Sequence, residues 1–552
     1  MNAPASLTIA PVLLPLVAAA ALLLVGESRR QLASAVNLGA TLAGLVVAAL
    51  IVRQVDAAGE ASAIAVYLTA NWPAPYGITL VADRLSALML LVVAVVALCA
   101  ALYASAGWSR AGSYFHPLFQ IQLMGVNGAF LTGDLFNLFV FFEVMLAASY
   151  GLQLHGSGIR RVRAGLHYIA VNLLASSMFL IGLAVIYGVM GTLSMADVAA
   201  RMPLVPEADR GLLHAGIAML AMAFLIKAAI WPLNAWLVPA YTATSAPVAA
   251  VFVVMTKVGL YAILRLWTLM FPAGPDAAPF GGGLLFAGGL LTLGFGALGV
   301  LGSIRLERIA AFSVILSSGT LLAAFAVGTH AASSAALYYL ANTTLAASAL
   351  FLLVELVQRT RSADLAQPPP AERFPDEDDN LDDEALPLVG RALPVSLAAL
   401  ALAYLVCVLL VAGLPPLAGF LAKAALLTAL LEQLSASPAG ASTVASYATW
   451  SMVGLVLTSG LFATISLARA GIHHFWSKGG RFAPQLKVTE VAAVAVLLLA
   501  CLWLTIHAET ALRYTRATSD ELHAPGAYID AVLGTRARPG PATPALAEDG
   551  AP

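Results

Sequence analysis

The sequence predicts an all-α polytopic membrane protein with about 14 transmembrane helices. Of its 552 residues, 61% are hydrophobic and only 10% are charged, which lies far outside the range of soluble globular proteins. Apolar runs of about 18 residues or more, the length that spans a bilayer, recur from one end of the chain to the other. The seventh and the twelfth of these runs each contain a proline near an ionisable residue, and there the helices are predicted to be broken.

The first run, 7–26, has no basic segment before it, so we interpret it as a retained span and not as a signal peptide. The predicted spans, of which the seventh and the twelfth are broken, are 7–26, 31–52, 78–104, 116–132, 135–154, 165–190, 212–242, 246–270, 282–303, 308–328, 332–357, 394–432, 445–470 and 488–507. The three cysteines are scattered inside these runs, without disulfide or metal spacing, and are interpreted as small apolar residues.

Lysine and arginine residues in the loops predict the orientation, because cytoplasmic loops carry the excess of these residues. The loops after odd-numbered spans hold 16 of them: Arg29, Arg30, Arg110, Arg160, Arg161, Arg163, Arg305, Arg308, Arg359, Arg361, Arg373, Arg391, Arg469, Lys478, Arg481 and Lys487. The opposite side holds eight: Arg53, Arg84, Arg201, Arg210, Arg513, Arg516, Arg536 and Arg538. We therefore expect both termini on the outer side, which requires an even number of spans.

Two regions are too polar to lie in the membrane. Residues 358–393 contain three consecutive prolines and the acidic stretch EDDNLDDE, and are predicted to form a flexible cytoplasmic linker. The acidic cluster, 372–384, is either simply solvated or a docking site. The chain after His507 ends in RARPGPATPALAEDGAP and is predicted to be disordered.

The broken seventh span carries the strongest functional signal. Lys227 lies in the middle of the apolar stretch 212–242, and Pro232 follows five residues later. A lysine at the centre of a membrane helix is unfavourable by ~2.5–3.5 kcal/mol, and a proline frees a carbonyl for which lipid offers no partner. A charge and a break in one span indicate buried protein or a wet cavity. The alternative is a tolerated kink with a lysine that reaches the interface.

The twelfth span repeats this pattern. It is interrupted at Gly413-Leu-Pro-Pro, which contains Pro415 and Pro416, and Lys423 follows. Broken helices in corresponding positions of two halves are typical of a transport site near the bilayer midplane. Since the two breaks lie five spans apart, two inverted five-helix units are predicted. The predicted organisation is 1–110 for spans 1–3, 111–275 and 276–475 for the two units, and 476–552 for the last span and the tail.

Four ionisable residues lie deep in apolar runs: Glu143, Lys227, Lys257 and Lys423. Burial favours the uncharged form of each group, whereas pairing the acid with a lysine favours the charged forms. A row of such groups can pass protons by electrostatics alone. Structural alternatives stay open: Glu143 as a static ion-pair partner, Lys257 at a close helix contact, and Lys423 as a cap of the carbonyls freed by the prolines.

The remaining polar residues are less informative. Asp134 is interpreted as the N-cap of the fifth span, and Arg265 is expected to extend to the membrane interface. The histidines, including the pair His473 and His474, lack metal spacing and are interpreted as interface residues. There is no Gly-rich nucleotide motif, no Walker loop and no cysteine set for iron–sulfur, so no cofactor and no metal is predicted. A net charge of −1 excludes a nucleic-acid partner.

The chain resembles the D-type membrane proteins of the Mrp-type (Pha or Mnh) multisubunit monovalent cation/proton antiporters, which are related to the antiporter-like membrane subunits of respiratory complex I. The resemblance is carried by TGDLFNLFVFFEVMLAASYGL at 132–152, LIKAAIWPLNAWLVPAYTATSAPVAAVFVVMTKVGLYAILR at 225–265 and GLPPLAGFLAK at 413–423. It implies fourteen helices in two inverted five-helix units, a bacterial inner-membrane location and a complex with other subunits. It also implies that Glu143 pairs with Lys227 and that Lys257 and Lys423 continue a charged axis.

The eleventh span departs from the family. A histidine is expected in a YYLLHST-like stretch, but this chain has Asn342 at that place, followed by Thr343 and Thr344. Asparagine can hold water but cannot carry a proton, so either water and the two threonines complete the path or that link is weaker.

Two functions remain open from the sequence. The first is the proton-translocating subunit of a Na⁺/H⁺ or K⁺/H⁺ antiporter that lies in the bilayer with its partner subunits. The second is a proton-pumping membrane subunit of a redox complex of the complex I or hydrogenase type. The first is a transporter and not an enzyme.

Overall fold

A computed structural model describes residues 5–57, 64–271, 280–365, 394–436, 443–475 and 486–537. The helices are α1 (Ala10–Val25), α2 (Arg30–Asp56), α3 (Arg84–Ser105), α4 (Phe115–Leu131), α5 (Leu135–Leu154), α6 (Ile159–Met190), α7 (Met195–Arg201), α8 (Glu207–Lys227), α9 (Leu237–Ala243), α10 (Ala246–Met270), α11 (Gly282–Gly302), α12 (Leu306–Val327), α13 (His330–Leu365), α14 (Val395–Ala412), α15 (Ala418–Ala436), α16 (Thr443–Phe475), α17 (Val488–Ile506), α18 (Ala508–His523) and α19 (Gly526–Gly534). A short antiparallel hairpin joins β1 (Ala65–Leu68) to β2 (Thr79–Ala82).

These helices confirm the predicted fold class. Within the described residues, 13 helices are long and apolar enough to cross a membrane. They include α14 and α15, which together form the broken twelfth span. The shorter helices α1 and α4 occupy the predicted first and fourth spans, and α8 with α9 forms the broken seventh span. Helix therefore occupies all fourteen predicted ranges, but the third, 78–104, is wrong at its start, because Thr79–Ala82 forms strand β2 and the helix begins only at Arg84.

Helix α10 forms the centre of the molecule. Nearly every residue between Ala246 and Met270 is buried, as expected for a helix that is apolar on all sides. Around it, α11 and α12 are packed closely enough to require glycine. A Cβ on Gly289 would lie 2.5 Å from the backbone nitrogen of Ala323, and a Cβ on Gly296 would lie 2.6 Å from that of Leu316. Small residues at such contacts let helix backbones approach in a membrane.

Several elements that do not span the membrane cover one end of the helices: the hairpin, α7, α18 and α19. Asp83 begins α3 with a capping box, in which its carboxylate accepts a hydrogen bond from the backbone of Ser86 at 2.9 Å. Arg265, at the end of α10, donates to the same carboxylate at 2.7 Å. Burial opposes the charge on Asp83, but the neighbouring guanidinium outweighs it and holds the pKa of Asp83 below its usual range.

Two expectations are wrong at this end. Arg265 does not extend to the interface, because its side chain is only 8% exposed and is ion-paired with Asp83. The chain after His507 is not disordered as far as Gly534, since α18 and α19 are helical. One face of α18 is buried against the bundle and the other is polar, so tertiary packing stabilises a segment that its composition alone would leave unfolded. Residues 538–552 lie outside the described residues.

The linker starts later than predicted. Helix α13 continues to Leu365, about two turns beyond residue 358, because the helical hydrogen-bond pattern does not require an apolar sequence once the chain has left the membrane. Residues 366–393, which include the acidic cluster 372–384, lie outside the described residues, as do Lys478 and Arg481.

Candidate functional site

Glu143 and Lys227 meet at a serine. The hydroxyl of Ser176, on α6, donates to the Glu143 carboxylate, and the Lys227 ammonium lies 3.5 Å from the same hydroxyl oxygen. Lys227 is 4% exposed and its ammonium also lies 5.1 Å from the centre of the Phe142 ring. Within the described residues the acid and the lysine form no ion pair closer than 4.0 Å, so Ser176 bridges them.

The break in the seventh span places Lys227 at a helix end. Helix α8 stops at Lys227, and the chain turns through Ala229, whose φ of 56° is left-handed, before Pro232. The break leaves backbone groups without helical partners. One of them, the nitrogen of Trp231, donates to the hydroxyl of Thr292 on α11 at 2.9 Å. A neighbouring helix thus satisfies one of the backbone groups that the break frees.

Lys257 lies in the most buried part of the molecule. Its side chain is 0% exposed, and its ammonium donates to the hydroxyl of Ser317 on α12 at 2.6 Å, with Ser318 at 3.5 Å. Gly259 allows α10 to lie against α8, because a Cβ there would be 2.9 Å from the backbone nitrogen of Ala228. The predicted close helix contact is therefore present, but Lys257 is directed toward the serines of α12.

Lys423 lies at the second break and reaches back across it. Its ammonium donates to the carbonyl of Ala412, the last residue of α14, at 2.7 Å, and its side chain is 8% exposed. Gly413, with a φ of 75°, makes room for it, because a Cβ there would lie 2.6 Å from the lysine Cδ. This is the capping contact that the sequence left open. A cation at a helix C-terminus also interacts favourably with the helix dipole.

Asn342 lies on α13, which packs against both α10 and α15. The side chain is 0% exposed, and neither its oxygen nor its nitrogen has a partner among the residues that the structure describes. Thr343 and Thr344 donate to carbonyls of their own helix at 2.8 and 2.7 Å, which leaves their oxygens able to accept. A fully buried amide with two unsatisfied atoms is typical of a place where ordered water binds.

The structure therefore brings together only part of the predicted set. Glu143 and Lys227 share one serine, whereas Lys257 and Lys423 each form a separate contact. The helices that carry the four residues are nevertheless packed in series, from α5 through α6, α8, α10 and α13 to α15. Asp134 caps α5 as predicted, accepting from the backbone of Asn137 at 2.8 Å, and takes no part in these contacts.

A polar cavity of about 550 Å³ opens at the end of the bundle opposite α18 and α19. We call it the vestibule; its walls include Arg161, Tyr241, Ser245, Glu307 and Glu355. The Glu355 carboxylate accepts from the indole of Trp108 at 2.7 Å and from Arg359 at 2.6 Å. The Tyr241 hydroxyl donates to the carbonyl of Phe252, between one and two turns before Lys257.

Sequence reasoning missed the hydroxyl groups that contact the lysines and the first break: Ser176, Thr292 and Ser317. The serines stand in the pairs Ser176-Ser177 and Ser317-Ser318, within apolar helices. These pairs are a weak signal, because hydroxyls in membrane helices usually bond to their own backbone. Which of them faces a lysine depends on helix rotation and packing.

The fold is that of a polytopic membrane protein with ionisable side chains buried between its helices. Residues 132–449 match the family described as NADH:quinone oxidoreductase/Mrp antiporter, transmembrane, and the chain belongs to that family. It is 48% identical over 530 residues to a Rhizobium meliloti protein named as the probable D component of a K⁺/H⁺ antiporter, covering 96% of this chain and 97% of the relative. It is 31% identical to the D component of the Na⁺/H⁺ antiporter of Alkalihalophilus pseudofirmus, covering 96% and 99%.

Solved structures agree with this assignment. A chain of the Mrp complex from Dietzia sp. superposes with a TM-score of 0.78 at 26% identity, covering 96% of this chain and 99% of that one. A chain of respiratory complex I from Thermus thermophilus superposes with a TM-score of 0.71 at 23% identity, covering 96% and 100%, which shows a shared fold. The named relatives are antiporter subunits, which are transporters and not enzymes.

Proposed function

We propose that this chain is the proton-translocating subunit of a multisubunit antiporter that exchanges Na⁺ or K⁺ for protons. Similarity to the D components of cation/proton antiporters along nearly the whole chain supports the assignment. The observation that carries the mechanism is the buried cluster of Glu143, Ser176 and Lys227. Ser176 holds an acid and a base at one hydroxyl, so a change in the charge of one group acts directly on the other.

The cluster can pass a proton by electrostatics. When Glu143 is ionised it stabilises the ammonium of Lys227; when Glu143 takes up a proton, that stabilisation is lost and burial favours release from the lysine. Ser176 can donate to the carboxylate while accepting from the ammonium, so one hydroxyl couples the two groups. The same change in field acts on Lys257, whose helix packs against the helix of Lys227.

The remainder of the path runs through α13. Asn342 and the oxygens of Thr343 and Thr344 lie on the helix between those of Lys257 and Lys423. Because both polar atoms of Asn342 are unsatisfied by protein, water bound there would connect the two lysines. In this proposal Asn342 holds water and the lysines carry the proton.

The vestibule provides access from the cytoplasm. It lies at the ends of the helices where the excess of Arg and Lys is found, which supports a cytoplasmic location of this face and outer termini in a bacterial inner membrane. Its wall residue Ala249 lies eight residues before Lys257 on α10, a rise of about 12 Å. The Tyr241 hydroxyl is between them, so only a short further connection is needed.

A partner subunit would complete the site. Phe136, Val140 and Ala147 are exposed on one stripe of α5, and Glu143 lies on that stripe and is only half-buried. A carboxylate beside lipid at this depth would be strongly unfavourable. We therefore propose that another subunit of the complex covers this stripe, and that the charged axis lies within two inverted five-helix units, 111–275 and 276–475.

Transport by the purified complex in vesicles tests the function. Under an imposed pH gradient, addition of Na⁺ or K⁺ should collapse the gradient in the wild type. Glu143→Ala and Lys227→Ala should each reduce this exchange to background while the complex still assembles. Glu509→Ala, which removes an exposed acid on α18, is the control and should leave exchange unchanged.

Full exchange by either variant would remove that residue from the mechanism. The proteins that co-purify test the alternative function. Small antiporter subunits support the proposal, whereas iron–sulfur or flavin subunits would assign the chain to a redox complex.

A further inference from the structure

We infer that the chain binds one zwitterionic phospholipid of the phosphatidylethanolamine type in a groove beside α18. The groove has a volume of about 420 Å³ and lies between α2, α3, α13, α17 and α18. Its walls are apolar, formed by Leu88, Leu91 and Val95 of α3 together with Ala341 and Leu345 of α13. Nothing in the proposed ion path uses this groove.

The groove has the depth of one acyl chain in one leaflet. From Leu88 to Val95 the helix rises about 10 Å, which fits within the ~15 Å of hydrocarbon that one leaflet contributes. Trp503 lies at its rim and is half exposed, in the position that indoles take at the membrane–water interface. The groove thus starts at the interface and ends near the bilayer centre.

The charges at its opening select the headgroup. Asp56, at the end of α2, and Arg513, on the polar face of α18, both line the groove and both are exposed. Within the described residues neither has an ion-pair partner within 4.0 Å. An arginine binds a phosphate through several N–H donors, and a carboxylate binds an ammonium. A phosphate and a primary ammonium on one lipid match both charges at once.

A second groove shows what this pair of charges adds. It has a similar volume, about 450 Å³, lies between α13, α14 and α17, and is lined by apolar side chains such as Leu356, Leu400 and Leu498. Among the described residues its wall contains no charged side chain, so it can accept an acyl chain but offers no charge that would select a headgroup. Headgroup selection is therefore a property of the groove at α18.

Lipid analysis of the whole purified complex tests the inference. Native mass spectrometry after extensive detergent washing should find phosphatidylethanolamine retained by the wild type. Arg513→Ala should weaken retention of any phospholipid by about tenfold, the effect of one lost charge-assisted contact. Asp56→Asn should reverse the preference from phosphatidylethanolamine to phosphatidylglycerol, since only the positive charge remains.

The controls are Arg516→Ala and Glu509→Gln, which change exposed charges on α18 that do not line the groove and should leave lipid content unchanged. Ala500→Phe, which fills the apolar end, should expel the lipid without touching the charges. Equal lipid content in all variants would overturn the inference. So would photocrosslinking from Leu91 to another subunit, which would show that a protein helix occupies the groove.

Discussion

The two broken helices satisfy their free backbone groups in the same way, but their lysines have different partners. At each break a backbone nitrogen without a helical partner donates to a threonine of a neighbouring helix: Trp231 to Thr292 at 2.9 Å, and Ala418 to Thr505 at 2.9 Å. Each threonine hydroxyl donates in turn to a carbonyl one turn back on its own helix. The two backbones are thus stabilised in the same way.

The lysines differ. Lys227 ends the first half of its helix and shares Ser176 with an acid, whereas Lys423 lies on the second half of its helix and donates to the carbonyl of Ala412. A carboxylate can gain and lose a proton, but a backbone carbonyl cannot. We therefore expect a change of charge on Glu143 to drive proton transfer at the first break, and Lys423 at the second break to respond to it.

The largest effect is expected from a substitution of Lys423 that distinguishes a capping role from a role in proton transport. Lys423→Gln keeps a donor for the Ala412 carbonyl but removes the titrating amine, so exchange in vesicles should fall to background while the complex stays assembled. Lys487→Gln is the matched control, because Lys487 also donates to a backbone carbonyl, that of Ala106, outside the core. If Lys423→Gln exchanges ions normally, this lysine is only a cap.

Ser176→Ala should have the next largest effect. It removes the hydroxyl between Glu143 and Lys227, and hydrogen bonds to charged groups contribute about 1.5–3 kcal/mol, so we expect exchange to slow by about tenfold or more. Ser177→Ala is the control, since Ser177 is exposed and bonds only to its own helix at Leu173. Equal rates in the two variants would show that the acid and the lysine do not communicate through Ser176.

The contact of Ser176 with Glu143 and Lys227 could not be predicted from the sequence, whereas the helices could. Apolar run length and proline position predict the helices and both breaks, because the membrane imposes a length and excludes unsatisfied backbone. Charge at membrane depth likewise singles out Glu143, Lys227, Lys257 and Lys423 as candidate residues, since charged side chains are so unfavourable there. Their role in proton transfer stays a prediction. Whether Ser176 or Ser177 faces the lysine depends on the rotation of α6, which no local pattern determines.

The predictions for Arg265 and for the chain after His507 are wrong for a related reason. The ion pair of Arg265 with Asp83 joins residues 182 positions apart, and α18 folds because one face is covered by other helices. Propensity and composition describe a segment in isolation, whereas these features come from tertiary contacts. The same limit applies to the vestibule, whose wall is assembled from the ends of several helices.

Asn342→Ala should have a smaller effect than either lysine substitution. It removes a buried amide whose two polar atoms have no protein partner, so water bound there loses one contact but the lysines remain. We expect exchange to slow by a few-fold, measured in the same vesicles. A collapse as complete as that of Lys227→Ala would mean that Asn342 is indispensable, and that the two breaks are connected only through it.

Substitution of the two threonines should have the smallest effect on transport. It tests directly whether the backbones of both breaks are stabilised in the same way. Thr292→Val and Thr505→Val each leave a part-buried backbone nitrogen without its acceptor, which should cost about 1 kcal/mol, the low end of the penalty for an unsatisfied buried group. Both should lower the melting temperature of the purified complex by similar amounts. Thr458→Val, which alters an exposed threonine bonded only within α16, should not. If only one of the two variants is destabilised, the breaks are not held alike, because the other nitrogen has found a different acceptor.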